Sequence, residues 1–358
     1  MFSAERLKIA RFRRKMSGKA LAEKSELTAV TVSKAENGHP IDDTTAEKLA
    51  KALSYPLEFF FMDAPAMVDA DTVSFRSLKK MSAAERDASL AAGALGIALY
   101  DWIDSRFNLP SVDLIDLNKE RTRTESAARL LRQHWGLGDR PIGNVLKLFE
   151  AKGIRALSLS EDTHNVDAYS FWHGESPYIF LNQEKTAERS IFDSAHELGH
   201  LVMHHHAGPR NDKGAEYQAD RFASAFLMPE ADVKNELSNI TSIGQIIAAK
   251  KRWKVSAMAL TYRLHALGLI SDWTYRSFCI ELGQLGYRNS EPDGVERESS
   301  VLMSKVLTAL WTRRLTKFEI AQELNVPSEE IESLIFRLAG PEAHQRQVGE
   351  LTLVSCNF

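Results

Sequence analysis

Two histidines and a glutamate in the run His196-Glu197-Leu198-Gly199-His200 have the types and spacing of a metal-binding catalytic motif. Residues four apart on an α-helix lie on one face, so His196 and His200 can bind the same metal ion. In zinc hydrolases two neutral imidazoles and a third protein ligand hold the ion, and a water in the fourth position has its pKa lowered to about 7. Glu197 is then the expected general base, and the motif predicts zinc-dependent hydrolysis.

The sequence on either side places this motif on a helix that follows two strands. Residues 186–196 contain no proline or glycine, and their apolar helical pattern continues through Val202. Upstream, residues 168–172 and 177–182 have the pattern of two strands joined by a short turn that contains glycine. A strand beside the metal helix of a zinc peptidase often binds extended substrate at a sheet edge. Pro177 suits an edge strand or the start of a strand.

Two further histidines are weak candidates for the third metal ligand. His206 lies ten residues after His196, which is the metzincin spacing, but Met203 occupies the position where that motif has a glycine. His204 lies one turn beyond His200 on the same straight helix and is poorly placed to complete a tetrahedron. We expect His204 to lie behind the ligands or on the surface.

Glu216 is the favoured third ligand. It lies near the start of a second predicted helix, residues 215–229, which follows a polar loop containing glycine and proline. Asp220 shares a face of that helix with Glu216, because the two are four residues apart. One of the two carboxylates can bind the metal while the other accepts a hydrogen bond from a ligand histidine and fixes its ring.

The combination resembles the ImmA/IrrE-type metallopeptidases, over about residues 115–230. The resemblance rests on the His-Glu-x-x-His helix and on two later motifs, Glu216-Tyr-Gln-Ala219-Asp-Arg-Phe222-Ala223 and Leu227-Met228-Pro229. It implies a compact zinc peptidase domain of the gluzincin kind, in which His196, His200 and Glu216 bind Zn²⁺ and Glu197 is the general base. The residue that stabilises the oxyanion stays open among three candidates: Tyr178, Tyr217 and His164.

A second motif occupies the N-terminus. A basic first helix covers residues 6–15, Ser17 is a predicted N-cap for a second helix, and residues 28–38 read as a third helix that ends at a glycine. These residues resemble the Cro/repressor-type (XRE) helix-turn-helix domain over about residues 4–62. The resemblance implies that the third helix enters the major groove of DNA, with base contacts from Ala29, Val30 and Lys34. Gly18 departs from the family, which often has a glutamine there.

Charge supports DNA binding only locally. The chain has 45 Lys and Arg against 48 Asp and Glu, a net charge of −3, so there is no protein-wide attraction to phosphate. Residues 1–24, however, contain eight basic and two acidic side chains. Because this basic patch is modest, we predict a homodimer that joins two DNA-binding modules.

Composition limits the remaining possibilities. The chain has only two cysteines, far apart and outside both motifs, which argues against a disulfide framework and a cysteine-based zinc site. It contains no apolar stretch of the roughly 18 residues that a transmembrane helix needs, and it begins with a basic amphipathic helix rather than a signal peptide. We therefore expect a soluble, cytoplasmic protein without membrane contact.

The predicted fold class is mainly α with a small β-sheet (α+β), divided into five segments. They are a five-helix helix-turn-helix domain (1–62), a linker with a long helix (63–112), the gluzincin-like peptidase domain (113–230), a helical extension (231–290) and a C-terminal helical segment (291–358). The glycine- and alanine-rich middle of the long helix predicts close packing against another helix. The last segment has helix-turn-helix periodicity but is acidic, so we expect it to pack against the protein or a partner rather than DNA.

Two functional hypotheses follow from these motifs. The first is a DNA-binding regulatory zinc metallopeptidase that cuts a regulator or itself under stress or phage-related control, with a transcriptional repressor as the expected protein substrate. The second is a transcriptional repressor or antitoxin-like protein whose peptidase-like domain is a sensor or partner-binding module. Conversion of Glu197 to glutamine separates the hypotheses, because only the first requires this carboxylate for its activity.

Overall fold

The computed structural model describes residues 1–69, 73–75, 81–159, 167–205, 213–287 and 290–338. Within these ranges the protein is mostly helical and has one small mixed sheet, as the sequence predicts. None of the described helices is both long and apolar enough to cross a membrane.

The N-terminal helices begin where the sequence places small polar caps. The four α-helices are α1 (Ala4–Arg13), α2 (Gly18–Lys24), α3 (Ala29–Glu36) and α4 (Asp43–Leu53), and a 3-10 helix, Leu57–Phe61, follows them. The side chains of Ser3, Ser17, Thr28 and Asp42 each accept a backbone N–H from the first turn of the helix that they precede. The five predicted helices are therefore present, and the fifth is a 3-10 helix.

The predicted long helix is α5 (Ala83–Asp104), which begins with a capping box between Ser82 and Glu85. Its glycine-rich middle lies against the sheet. A Cβ atom at Gly96 would lie 2.5 Å from Leu157 and 2.7 Å from Phe180. The prediction that this stretch packs closely against a helix is therefore wrong at Gly96, where the absent side chain lets α5 approach strand residues.

Among the described residues the sheet has four strands, in the order β1-β3-β4-β2. They are β1 (Ser74–Phe75), β2 (Arg155–Leu159), β3 (Ala168–His173) and β4 (Ser176–Asn182). Strands β3 and β4 form the predicted hairpin, and Gly174 in its turn has a φ of +55°. Strand β2 pairs parallel with β4 from Tyr178 onward, so Pro177 lies at the strand start and precedes that pairing.

The two faces of the sheet contact different parts of the chain, because successive strand residues point to opposite sides. On one face, the rings of Tyr169, Phe171, Tyr178 and Phe180 belong to a core shared with α5, the N-terminal helices and the C-terminal helices. On the other face, Ala168, Ile179 and Leu181 pack in a core that includes α8 (Ala187–Met203). The predicted metal motif lies on α8 and is therefore packed against this second face of the sheet.

Helices before and after α8 build the second core. They are α6 (Thr124–His134), α7 (Val145–Ala151), α9 (Lys213–Leu227), α10 (Glu230–Glu236), α11 (Ile243–Lys250), α12 (Ala257–Ala266) and α13 (Asp272–Gln284). The core thus joins the predicted peptidase segment to the helical extension that follows it.

The C-terminal helices return to the N-terminal domain. They are α14 (Val301–Thr312), α15 (Lys317–Glu323) and α16 (Ser328–Leu334). Glu330 on α16 is buried and accepts hydrogen bonds from Arg13 at 2.7 Å, Arg14 at 3.0 Å and the Tyr55 hydroxyl at 2.7 Å. This acidic segment therefore packs within the chain, in agreement with the role expected from its charge.

Candidate metal centre

Helices α8 and α9 bring three potential metal donors together. The Nε2 atoms of His196 and His200 lie 3.1 Å apart, and oxygen atoms of Glu216 lie 3.4 Å and 3.3 Å from them. These residues form the one His/Cys/Asp/Glu group in the described part of the chain with the spacing of a metal site. Helical periodicity explains the histidine pair, and the packing of α9 against α8 supplies the carboxylate.

The spacing of the donors fits a zinc ion. Zinc–nitrogen and zinc–oxygen bonds of about 2.0–2.1 Å in a tetrahedron place neighbouring donor atoms roughly 3.3–3.4 Å apart. The two histidine nitrogens are 3.1 Å apart, Oε2 of Glu216 is 3.4 Å from that of His196, and Oε1 of Glu216 is 3.3 Å from that of His200. Two imidazoles and one carboxylate are also the ligand set of a catalytic rather than a structural zinc site, since a fourth position stays available.

Burial and mutual contacts set the protonation of these donors. Desolvation lowers the pKa of His200 to about 3, so its imidazole is neutral and available as a ligand at neutral pH. Burial alone would raise the pKa of Glu216, but its contacts with His196 and His200 outweigh that effect and hold the pKa below its usual range. The group therefore presents a carboxylate and at least one neutral imidazole.

Asp220 lies behind one of the histidines. Its Oδ1 atom is 2.9 Å from Nδ1 of His196, on the side of the ring opposite the clustered Nε2 atoms. This is the carboxylate–histidine arrangement that the sequence predicts for one of the two acidic residues of α9. Such a contact fixes which ring nitrogen carries the proton and leaves Nε2 free to bind metal.

His204 lies behind the other histidine. Its Nδ1 atom is 3.1 Å from Nδ1 of His200, and its Nε2 atom is 2.9 Å from Oε1 of Gln218 on α9. His204 is therefore not part of the donor group, as predicted, and contacts a member of it instead. Gln218 could not be predicted from sequence, because only the packing of α9 brings it to His204. His206 lies outside the described residues.

Glu197 is completely buried and is held by the sheet. Ser170 on β3 donates a hydrogen bond from Oγ to Oε2 of Glu197 at 2.7 Å. Sequence analysis missed Ser170. The one available signal was its small polar side chain in an otherwise apolar strand, two residues after Ala168 on the face that meets α8.

The three candidates for oxyanion stabilisation separate in space. Tyr178 is buried on the opposite face of the sheet, where it accepts a hydrogen bond from Arg155 at 2.6 Å, so its candidacy is wrong. Tyr217 follows Glu216 on α9 and is 56% exposed. His164 lies outside the described residues. The Tyr217 hydroxyl accepts a hydrogen bond from Arg221 at 3.1 Å, and its role in oxyanion stabilisation stays a prediction.

The third helix of the N-terminal domain presents the predicted DNA-contacting residues to solvent. Ala29, Val30 and Lys34 on α3 are all exposed, while Val32 and Ala35 on the opposite side are buried in the core. Val30 is 63% exposed.

The basic surface of the first two helices is smaller than the sequence indicates. At least four of the eight basic residues in positions 1–24 contact other parts of the protein. Arg13 and Arg14 bind Glu330, Arg6 donates to the backbone oxygen of Asp63, and Arg11 pairs with Glu36. The eight-to-two excess of positive charge therefore overstates what is available to phosphate groups.

Two family comparisons agree with this geometry. Residues 149–265 match the sequence model of the IrrE N-terminal-like domain (Peptidase_M78), and residues 7–60 match that of a helix-turn-helix domain. No curated protein matches the chain. The first match contains the donor group on α8 and α9, and the second contains α2 and α3. The chain therefore carries an N-terminal helix-turn-helix domain and a peptidase-family domain of the IrrE N-terminal-like type.

Proposed function

We propose that this protein is a regulatory zinc metallopeptidase that binds DNA and hydrolyses a peptide bond in a transcriptional repressor or in itself. The observation that carries the proposal is the convergence of His196, His200 and Glu216 within 3.1–3.4 Å of one another. The peptidase-family match over residues 149–265 supports the same chemistry. We further propose that it acts in the cytoplasm, in a response to stress or phage.

Zn²⁺ fits this donor set, and it would supply a polarised substrate carbonyl and an acidified water. The protein's own residues have four roles in the reaction. His196, His200 and Glu216 would hold the ion, and Asp220 and His204 would orient the two imidazoles through the ring nitrogens that face away from it. Glu197 takes a proton from the attacking water and delivers it to the leaving amine. Ser170 holds the Glu197 carboxylate while it does so.

The proposed DNA contact is made by α3. Ala29 and Val30 would meet thymine methyl groups in the major groove, and Lys34 would reach the acceptor atoms of guanine. Their exposure on one side of α3 and the helix-turn-helix match support this assignment. Since part of the basic surface is used inside the chain, binding through two modules of a homodimer is the expected source of affinity.

Metal content and cleavage together test the proposal. Purified protein should contain about one zinc per chain, and the His196→Ala variant should contain much less. The protein is then incubated alone and with the products of its neighbouring genes, and intact masses are measured. The proposal is supported if the wild type produces a new cleavage and the Glu197→Gln variant, which should still bind zinc, produces it at a rate lower by roughly a hundredfold or more.

Two outcomes would contradict the proposal in different ways. Wild-type protein that binds no zinc would exclude the metallopeptidase. Zinc binding without cleavage, together with DNA-linked regulation that Glu197→Gln leaves unchanged, would favour a repressor or antitoxin-like protein with a sensing domain.

A further inference from the structure

A cavity of about 510 Å³ lies between the start of α6 and the outer side of α9. We call it the α6–α9 cavity. Three arginines line it, Arg123, Arg129 and Arg221, together with Tyr217 and Gln218. One acidic side chain, Glu125, lines it as well. The arginines come from two different helices and the loop before α6, so tertiary packing rather than a local charge run brings them together.

The acidic residue of the cavity lining, Glu125, is paired with a buried arginine. Both carboxylate oxygens of Glu125 accept hydrogen bonds from Arg263, whose side chain is only 1% exposed. Arg263 also donates from Nε to the backbone oxygen of Met228 at 2.9 Å, which fixes its position. Glu125 is therefore paired with Arg263, and its carboxylate also interacts electrostatically with Arg221, so the three arginines exceed the acidic charge of the cavity lining.

The arginines themselves keep much of their donor capacity. Arg129 is exposed and has no ion-pair partner among the described residues. Arg221 donates from Nη1 to the Tyr217 hydroxyl at 3.1 Å, a neutral partner. Arg123 pairs with Glu120 at 2.9 Å, but its side chain is 70% exposed. Guanidinium groups with free N–H donors bind carboxylates in pairs of parallel hydrogen bonds.

The cavity adjoins the candidate metal centre through α9. Tyr217 directly follows the donor residue Glu216, and Gln218 contacts His204, which in turn contacts His200. Helix α9 therefore supplies residues both to the donor group and to the cavity.

We propose that the α6–α9 cavity is a substrate subsite that binds acidic side chains of the protein being cut. This inference rests on the proposed function, since it assigns a substrate class to the same metal centre. Arg129 and Arg221 would bind the carboxylates, and Tyr217 would pack against the peptide between them. Segments rich in Asp or Glu near the cleaved bond are then preferred over neutral or basic ones.

The test measures binding without hydrolysis, so it does not depend on catalysis. Zinc-loaded full-length Glu197→Gln protein is titrated into three fluorescein-labelled octapeptides that differ only in carrying three Glu, three Gln or three Lys residues. Fluorescence anisotropy should show the Glu peptide binding at least tenfold more tightly than the Gln peptide. Adding Arg129→Glu and Arg221→Glu should remove that preference and favour the Lys peptide.

A matched double variant tests whether the Glu preference depends on the cavity arginines or only on the net charge of the protein. Arg121→Glu with Arg276→Glu makes the same change in net charge at two exposed positions that do not line the cavity, and it should retain the Glu preference. If the double cavity variant loses zinc or unfolds, Arg129→Ala replaces it, because this exposed side chain has no ion-pair partner among the described residues.

Equal binding of the Glu and Gln peptides would overturn the subsite, as would a Glu preference that the cavity variants leave intact. A 20-base-pair DNA duplex is titrated in parallel. If the cavity variants weaken DNA binding while the peptides bind equally, the cavity is a nucleic-acid contact and the proposal is wrong. Wild-type protein that binds no zinc or cleaves nothing would contradict the proposed function itself. The metal and mass measurements described above detect that outcome independently of the peptide titrations.

Discussion

Ser170 donates a hydrogen bond of 2.7 Å from its Oγ atom to Oε2 of Glu197, and both side chains are fully buried between β3 and α8. Buried carboxylates need such donors, because desolvation of an unbonded charge costs several kcal/mol. The bond fixes one oxygen of Glu197 and thereby the direction of the other. A strand of the sheet thus positions the proposed general base on the neighbouring helix.

Replacement of Ser170 by alanine should slow hydrolysis by about tenfold, because a hydrogen bond to a charged group contributes roughly 1.5–3 kcal/mol and only part of it acts in the transition state. The rate is measured on the protein that the wild type cuts, by intact mass. Zinc content should stay unchanged, since Ser170 is not a member of the donor group.

Ser158→Ala is the matched control for Ser170→Ala. Ser158 is also a buried serine of the sheet, 1% exposed, on β2. It should retain the wild-type rate, and Ser170→Thr should recover activity because it keeps the hydroxyl. Equal rates for Ser170→Ala and wild type would show that the serine does not position Glu197.

Asp220→Asn should lower zinc affinity by about 10- to 100-fold, because the carboxylate that orients His196 is lost. Competition with a chromophoric zinc chelator measures this change directly and needs no substrate. Asp272→Asn is the control, since Asp272 makes a comparable contact of 2.6 Å to Nε2 of His265 outside the metal centre. Unchanged affinity in Asp220→Asn would remove Asp220 from the site.

The local part of this site was predictable from sequence, and the distant part was not. The four-residue spacings of His196 with His200 and of Glu216 with Asp220 follow from helix geometry alone. Ser170 is 27 residues from Glu197 in sequence, and their contact depends on which face of the sheet packs against α8. No periodicity within either element contains that information.

Contacts between distant parts of the chain also explain why the sequence overstated the basic surface, missed β2 and predicted the wrong neighbour for α5. The sequence shows Arg13 and Arg14 as part of a basic helix, but their partner Glu330 is more than 300 residues away. The strand β2 was missed because it is short and pairs parallel with β4 far along the chain, so no hairpin signal marks it. The glycine-rich middle of α5 correctly predicts close packing, but it carries no information on whether a helix or a sheet is the neighbour.

The Glu330 network predicts acid sensitivity of the contact between the N- and C-terminal helices. Burial would raise the pKa of Glu330, but Arg13, Tyr55 and Arg14 outweigh it and lower that pKa. A carboxyl whose folded pKa is below its unfolded value of about 4.3 stabilises the folded state above pH 4.3. That stabilisation is lost as the pH falls through the lowered pKa.

Glu330→Gln should therefore destabilise the protein by about 3 kcal/mol at pH 7, since it leaves Arg13 buried without its charge partner. At acidic pH the difference from wild type should shrink. Urea unfolding at pH 7 and pH 3.5 measures both values. Glu332→Gln, at an exposed position on α16, is the control and should change neither. A difference that is the same at both pH values would exclude the charge of Glu330 as its cause.

Lys34→Ala should reduce sequence-specific DNA binding more than non-specific binding, because a base contact contributes about 1–3 kcal/mol of discrimination. A preferred DNA sequence is first selected from random duplexes with the wild-type protein. Binding of that duplex and of a scrambled one is then compared at several salt concentrations. The specific complex should weaken by about tenfold, with relaxed preference at one base pair.

Lys51→Ala, which changes an exposed lysine on α4 of the same domain, is the control and should leave the preferred sequence unchanged. Lys34→Ala could instead weaken binding to both duplexes equally and reduce the slope of the logarithm of the binding constant against the logarithm of salt concentration by about one. Lys34 would then contact a phosphate, and α3 would read the bases through other residues.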